Sequence, residues 1–211
     1  MLGCKNAVKL YGTSVVEHLL AHLDNMTDLQ TFCRQVRARS AENRQAMAAV
    51  RALPGQMVSI LRQELDSLVR VVFLLSQADR QYRSRLIEDS AAGRRWLRLN
   101  SRQPVTDREM VELTDALHGW TKSVYAFGCA FIHLSNLHDH KVRDPLDQIA
   151  EEERNAILGH LRSYHGGPNG PSPKFSDVVP LLPMVFTKIA DNLECYVKEL
   201  ERDGNPEHES G

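Results

Sequence analysis

The sequence lacks any run of about 18 or more apolar residues, the length that indicates a membrane-spanning helix. Its N-terminal segment, residues 1–12, also lacks the apolar stretch and cleavage site of a signal peptide. Apolar residues nevertheless make up 42% of the 211-residue chain, enough to form a core. We therefore expect a soluble, cytoplasmic protein that does not associate with membranes.

Paired cysteines are also missing. Cys4, Cys33, Cys129 and Cys195 lie far apart, and no C-x-x-C motif occurs. Disulfides are rare in the cytoplasm, and a free thiol in an apolar helical pattern, as at Cys129 and Cys195, behaves as a small hydrophobic group. We expect reduced cysteines with a structural role.

Established catalytic motifs are scarce, since the chain has neither a Gly-rich phosphate loop nor a nucleophile elbow. Residue types that bind zinc do cluster at His133, His138, Asp139 and His140. On one helix His133 and His140 would share a face, whereas the two residues before His140 would point elsewhere. We therefore expect no bound metal and no other cofactor.

The hydrophobic periodicity is helical along the chain, and no alternating stretch of strand length stands out. This pattern predicts an all-α helical bundle, a single domain over residues 1–202 followed by a flexible polar tail over residues 203–211. Predicted helices span Lys5 to Asp24, Thr27 to about Leu53, Pro54 to about Leu75, Thr106 to beyond His133, Ile149 to Tyr164, and Ser176 or Asp177 to about Leu200.

Three features organise these predicted helices. The helix from Pro54 has the widest apolar stripe, which predicts a central position. The helix after Thr27 is polar through its middle, which predicts a peripheral N-terminal arm. Thr106 and Glu109 form a capping-box pattern, and the helix that they start is expected to continue without a break.

Charge is distributed unevenly, because residues 1–105 contain 16 Lys and Arg against 9 Asp and Glu, whereas residues 106–211 contain 10 against 18. The basic half has a dense segment with the arginines Arg80, Arg83, Arg85, Arg94, Arg95, Arg98 and Arg102 and the aromatics Tyr82 and Trp96. Arginines mixed with aromatics are typical of RNA-binding surfaces, where they contact phosphates and stack on bases. The alternative is a solvated face whose arginines pair with the acidic half.

A family resemblance rests on the order of several segments. ILRQELDSLVRVVFLL on the central helix is followed by VYAFGCAFIHLSNLHDH, then by a DP turn, EEERNAILGHLRSYHGGP, and a final helix from FSDVV to NLECYVKELE. Over residues 50–202 this order resembles bacterial HEPN-like proteins. The resemblance implies a helical bundle that often dimerises, and in many members a metal-independent ribonuclease of a defence or toxin system. Its signature is an arginine, four to six residues, and then a histidine.

Arg154, Asn155 and His160 match that signature, with the polar Asn155 directly after the arginine. The same spacing recurs from Arg202 to His208 in the polar tail. Metal-free RNA cleavage requires a base and a cation, roles that histidine and arginine can fill. Residues six apart lie about 120° apart around a helix, so we expect Arg154 and His160 to act together only across a dimer interface.

His133 stands where the resemblance places a histidine, but no arginine precedes it at the required distance. It is either a functional residue or a core histidine. Two hypotheses follow. The first is a non-catalytic dimerising or scaffold module, with a homodimer and a partner such as a neutralising antitoxin. The second is a ribonuclease or RNA-binding effector that uses Arg154 and His160, or His133.

Overall fold

The computed structural model describes residues 26–204, and these residues confirm the all-α prediction. The helices are α1 (Asp28–Ala49), α2 (Pro54–Leu75), α3 (Arg80–Ala91), α4 (Asp107–His118), α5 (Thr121–Ile132), α6 (Glu151–His165), α7 (Phe175–Val178) and α8 (Leu182–Asp203), with 3-10 turns at Asn136–Asp139, Pro145–Asp147 and Val179–Leu181. Within residues 26–204 the only β pairing is an isolated bridge between Leu97 and Pro104. The predicted helix from Lys5 to Asp24 and residues 205–211 lie outside the described part.

The central position predicted for the helix from Pro54 is confirmed. Proline at the first position of α2 has no N–H left unsatisfied there, and its fixed φ favours the start of a helix. Leu65, Leu68 and Val71 are completely buried because α1, α4, α5 and α8 surround this helix. None of the helices within residues 26–204 combines the length and apolar character needed to cross a bilayer.

The helix after Thr27 begins as predicted, since the Thr27 hydroxyl accepts a hydrogen bond from the Gln30 amide in a capping box. The prediction of a peripheral arm is corrected, because α1 packs against α2, α3 and α8. Phe32 and Val36 are buried on its inner face. Its polar middle also takes part in packing, because the buried Glu64 carboxylate of α2 accepts a 2.9 Å hydrogen bond from Asn43.

The predicted long helix from Thr106 is two helices. The Thr106 and Glu109 capping box is present, but α4 ends at Gly119, whose φ of 72° is the left-handed conformation that glycine adopts at helix ends. Asp115 of α4 stabilises the first turn of α5, since its carboxylate accepts a 3.0 Å hydrogen bond from the Lys122 amide. The periodic stripe continues across the break, which is why the sequence pattern concealed it.

The helix predicted from Ile149 to Tyr164 is confirmed as α6 within two residues at its start and one at its end. The last helix begins differently from the prediction. Asp177 does not stand at the cap; it lies in the first turn of α7, where its carboxylate accepts from the Lys174 amide at 2.8 Å. The long helix α8 begins only after a 3-10 turn, and Pro183 lies in its first turn, as expected of a proline that delays a helix.

The three described cysteines are free thiols in different surroundings. Cys33 is buried between α1 and its neighbours, and burial, followed by the negative charge of Glu201, raises the pKa of its thiol to about 12. Cys129 is half-buried, whereas Cys195 is exposed, which corrects the expected structural role for that residue. Cys4 lies outside the described residues.

Candidate functional site

The signature residues Arg154, Asn155 and His160 all lie on α6, but they do not form one site within the chain. Arg154 Nη1 lies 3.4 Å from Asp147 Oδ1, near the start of the helix, and Asn155 is exposed. His160 stacks on Tyr164, with ring centroids 6.3 Å apart. The angle of about 120° between positions six apart keeps the arginine and the histidine on different faces. Their cooperation across a dimer interface stays a prediction.

His133 is an exposed residue at the end of α5, so the alternative of a core histidine is wrong. Its backbone is extended, and its amide donates to the Cys129 carbonyl at 3.1 Å. The helix ends here because the hydroxyl of Ser135 donates to the Ala130 carbonyl at 2.6 Å and begins the next 3-10 turn. Because His133 is exposed, its imidazole is available to a ligand or partner.

The arginine-rich segment over residues 80–102 forms α3 and the loop after it, and several of its arginines pair with carboxylates. Arg83 is buried, with Nη1 2.6 Å from Asp203 Oδ2. Arg98 lies 2.9 Å from Glu109, and Arg94 contacts two acids at the end of α3. Arg83 and Arg98 thus pair with the acidic half of the chain, as the alternative interpretation of this segment expected.

The aromatic residues of this segment are buried. Trp96 is only 4% exposed and stacks on Phe73, with ring centroids 6.0 Å apart, while the Arg70 guanidinium lies over its ring. Tyr82 is buried as well, and its hydroxyl donates to the Leu97 carbonyl at 2.8 Å. In this conformation neither ring can stack on a base. The exposed members among the predicted RNA contacts are Arg80, Arg94, Arg95 and Arg98.

A second basic region lies at the end of α5, and we name it the α5-end surface. It consists of the exposed aliphatic residues Leu53, Ile132, Leu134 and Val142 and the exposed basic residues Arg51, His133, Lys141 and Arg143. These segments meet around Phe131. The start of α2 lies against it at Gly55, where an added Cβ would be 3.3 Å from the Phe131 ring and 3.9 Å from His140 Nε2. The His140 and Phe131 ring centroids are 6.4 Å apart.

The α5-end surface differs from the arginine-rich segment in exposure and pairing. Leu134 is 95% exposed and Val142 is 78% exposed, the two highest values among the large hydrophobic side chains of the described residues. The side chains of Arg51, Lys141 and Arg143 form no ion pair with any residue in the range 26–204. This surface therefore combines exposed apolar area with cations that form no ion pair among the described residues.

A cavity of about 90 Å³ lies among α2, α5, α6 and α8. Its interior is apolar, formed by side chains such as Val58, Leu61, Phe127, Leu161, Val185 and Ile189. Apolar pockets with a few polar groups at the edge are the usual form of small-molecule sites. Here those polar groups are Ser123, His160, Tyr164, His165 and Lys188, and no acidic residue of the described chain lines the cavity.

The Lys188 ammonium places a positive charge near the histidines at this end of the bundle. Burial lowers the pKa of His165, and the nearby Lys188 ammonium lowers it further. The same two causes, in the same order, lower the pKa of His118, which shares a 3.0 Å hydrogen bond with the Tyr196 hydroxyl. Sequence reasoning identified His160 but missed His165 and Lys188. They stand 23 residues apart on two helices, and only the cavity that both helices line relates them.

Within residues 26–204 no three His, Cys, Asp or Glu side chains are placed to hold a metal ion, and this includes the group from His138 to His140. Comparisons with family models, curated proteins and solved structures found no significant match to this chain.

Proposed function

We propose that this chain is a HEPN-like, non-catalytic interaction module that uses the α5-end surface to bind an acidic, partly apolar segment of a partner protein. The observation that carries the proposal is that exposed aliphatic side chains occur together with cations that have no ion pair within residues 26–204, in the segments around Phe131. Contiguous exposed apolar patches on a protein surface mark sites of interaction with a partner. Leu134, at 95% exposure, has nearly its whole side chain available for such a contact.

The chemistry of this surface favours a protein partner over RNA. RNA-binding surfaces stack bases on aromatic rings or arginine planes, and the exposed apolar side chains here are aliphatic. Aliphatic side chains contribute by burial, about 1.5–3 kcal/mol each when fully covered. Lys141 and Arg143, which have no ion pair within residues 26–204, add electrostatic attraction for carboxylates, which mainly increases association rate and selectivity.

Charge also bears on the homodimer that the family resemblance implies. In a two-fold dimer each patch faces its own copy, so the α5-end surface would bring its positive charges together. We therefore assign the α5-end surface to a different protein, such as a neutralising antitoxin with an acidic segment. A homodimer would form through another face of the bundle.

The proposal can be tested with a fluorescein-labelled helical peptide that has leucines on one face and glutamates on the other. A matched peptide with lysines in place of the glutamates is the control. We expect the acidic peptide to bind in fluorescence anisotropy and the basic peptide not to bind. The double variant Leu134→Ser with Val142→Ser should weaken binding about tenfold or more, because two buried aliphatic contacts are lost.

Leu117→Ser is the matched protein control, since Leu117 on α4 is 66% exposed and lies outside the α5-end surface. It should leave the affinity unchanged. Equal binding of the two peptides, or equal binding by the double variant and the wild type, would overturn the proposal. Higher salt should weaken the interaction, because carboxylates are bound by exposed cations.

The second candidate function is a metal-independent ribonuclease, and one observation favours it. His133 is exposed on the same surface as Lys141 and Arg143, which form no ion pair with any described residue, so a base and cations for developing phosphate charge are present there. RNA should be incubated with the protein in EDTA, beside His133→Ala and His160→Ala. Cleavage that disappears in one variant would establish the enzyme and contradict a non-catalytic module.

A further inference from the structure

The apolar cavity among α2, α5, α6 and α8 has the shape of a site for a small ligand. Its volume of about 90 Å³ equals about three times the share of one water in the liquid. The interior offers almost no polar partners, so ordered water gains little there, and such cavities stay dry or take up apolar molecules. The size favours a short aliphatic chain as the occupant.

One polar group at the edge of this cavity is a cation, the Lys188 ammonium. Lys188 lines the cavity and is exposed, and no carboxylate among residues 26–204 lies within ion-pair distance of its ammonium. Its neighbour on α8 with the same charge, Lys198, lies 3.7 Å from Glu194. Of these two lysines on α8, Lys198 has an ion pair within residues 26–204 and Lys188 does not, so the Lys188 ammonium can bind an anionic ligand.

Besides Ser123 of α5, the other polar groups at the edge are hydrogen-bonding groups on α6. His160 and His165 both line the cavity, and Tyr164 lies between them in sequence. An imidazole can donate to a carboxylate oxygen from one ring nitrogen, and an ammonium adds a charge-assisted hydrogen bond. An anionic ligand would therefore meet donors from two helices at the same edge.

We propose that this cavity binds a small carboxylate with a short apolar body, the body lying between α2, α5, α6 and α8 and the carboxylate contacting Lys188 and His165. This site shares no residue with the α5-end surface. It goes beyond the interaction function proposed above, and either proposal can fail without the other. The combination of an apolar interior with a cationic edge selects against both alcohols and amines of the same length.

The probe is hexanoate, added to the full-length protein isotopically labelled at its methyl groups. Acetate, which lacks the apolar body, and hexan-1-ol, which lacks the charge, are matched controls. We expect hexanoate to shift the methyl resonances of Val185 and Ile189 in a saturable manner, with much weaker binding of both controls. Lys188→Gln should weaken hexanoate binding about tenfold or more, as the loss of a charge-assisted hydrogen bond predicts.

Lys198→Gln removes the same charge from the same helix and should leave the affinity unchanged. Val185→Phe, which fills the cavity, should abolish binding; a circular dichroism spectrum equal to the wild type shows that the variant is folded. The proposal is overturned if hexanoate fails to shift the cavity methyl resonances at saturating concentration. Equal affinity for acetate, or equal affinity of Lys188→Gln and the wild type, also overturns it.

Discussion

The arginine-rich segment over residues 80–102 and the α5-end surface are both basic, but their cations differ in ion pairing. Arg83 and Arg98 pair with carboxylates of the acidic half, and Trp96 is buried under Arg70. At the α5-end surface, Lys141 and Arg143 have no ion pair among the described residues. The density of positive charge in the sequence therefore does not indicate which cations form ion pairs in the folded chain.

The largest expected effect tests whether Trp96 is a core residue. Trp96→Ala removes a ring that is only 4% exposed and stacks on Phe73, so it should lower the free energy of unfolding by about 3–5 kcal/mol. Urea denaturation measures this. Leu97→Ala, in the same loop at 41% exposure, should change stability by less than about 1 kcal/mol. A mild effect at Trp96 would return its ring to the candidates for base stacking.

The inner face of α5 sharpens the contrast with its exposed end. A Cβ added at Gly128 would lie 2.7 Å from the Arg62 Cβ of α2, so Gly128→Ala should destabilise the fold by about 1–3 kcal/mol through overpacking. Gly159→Ala on α6 meets nothing within 4 Å and should stabilise by about 0.5–1 kcal/mol. Thermal melts of both variants check this, and equal shifts in the same direction would contradict the close approach of α5 to α2.

Low pH should reduce the free energy of unfolding through Glu109, which forms an ion pair with Arg98 of the arginine-rich segment. Hydrogen bonds from Arg98 and Thr106 lower the pKa of the Glu109 carboxyl from 4.5 to about 2. Because the folded-state pKa is below the unfolded value, this carboxylate stabilises the fold above about pH 4.5, and that contribution is lost as the pH falls toward 2.

Glu109→Gln keeps a capping side chain but removes the charge, so it should reduce the acid dependence of stability over that range. The partly exposed pair limits the effect at neutral pH to about 1 kcal/mol or less. Urea denaturation at a series of pH values measures it. An unchanged acid dependence would mean that the ion pair between Arg98 and Glu109 contributes nothing in solution.

The smallest effect on stability belongs to the α5-end surface. Leu134→Ser with Val142→Ser should change the free energy of unfolding by no more than about 0.5 kcal/mol for each substitution, because both side chains are mainly in solvent. Differential scanning fluorimetry suffices as the measurement. A loss as large as that of Trp96→Ala would show that these aliphatic groups support the fold rather than a partner.

Local patterns predicted the elements whose start and burial depend on nearby residues. Pro54 and the wide stripe after it indicated the central helix, and Thr106 with Glu109 indicated the start of α4. The break at Gly119 was missed because an isolated glycine costs a helix only about 1 kcal/mol, so an apolar stripe that continues across it looks uninterrupted. The same continuity placed His133 inside a helix that ends one residue earlier.

The candidate sites were less predictable than the helices. His160 and His133 were recognised from spacing and resemblance, but their surroundings were not: one lines an apolar cavity and the other is exposed. The pairing of Arg83 with Asp203 joins residues 120 positions apart. Such pairs decide which cations remain available, and no local pattern contains that information.

By itself, the sequence determined the all-α class, the central helix and the capped helix starts, because helical periodicity and capping depend on residues within one or two turns. Only the tertiary structure decided which arginines are neutralised, where Lys188 and His165 meet, and which aliphatic side chains stay exposed after α5. The physical reason is that burial and ion pairing are properties of surfaces brought together from distant segments, and the packing of helices sets them.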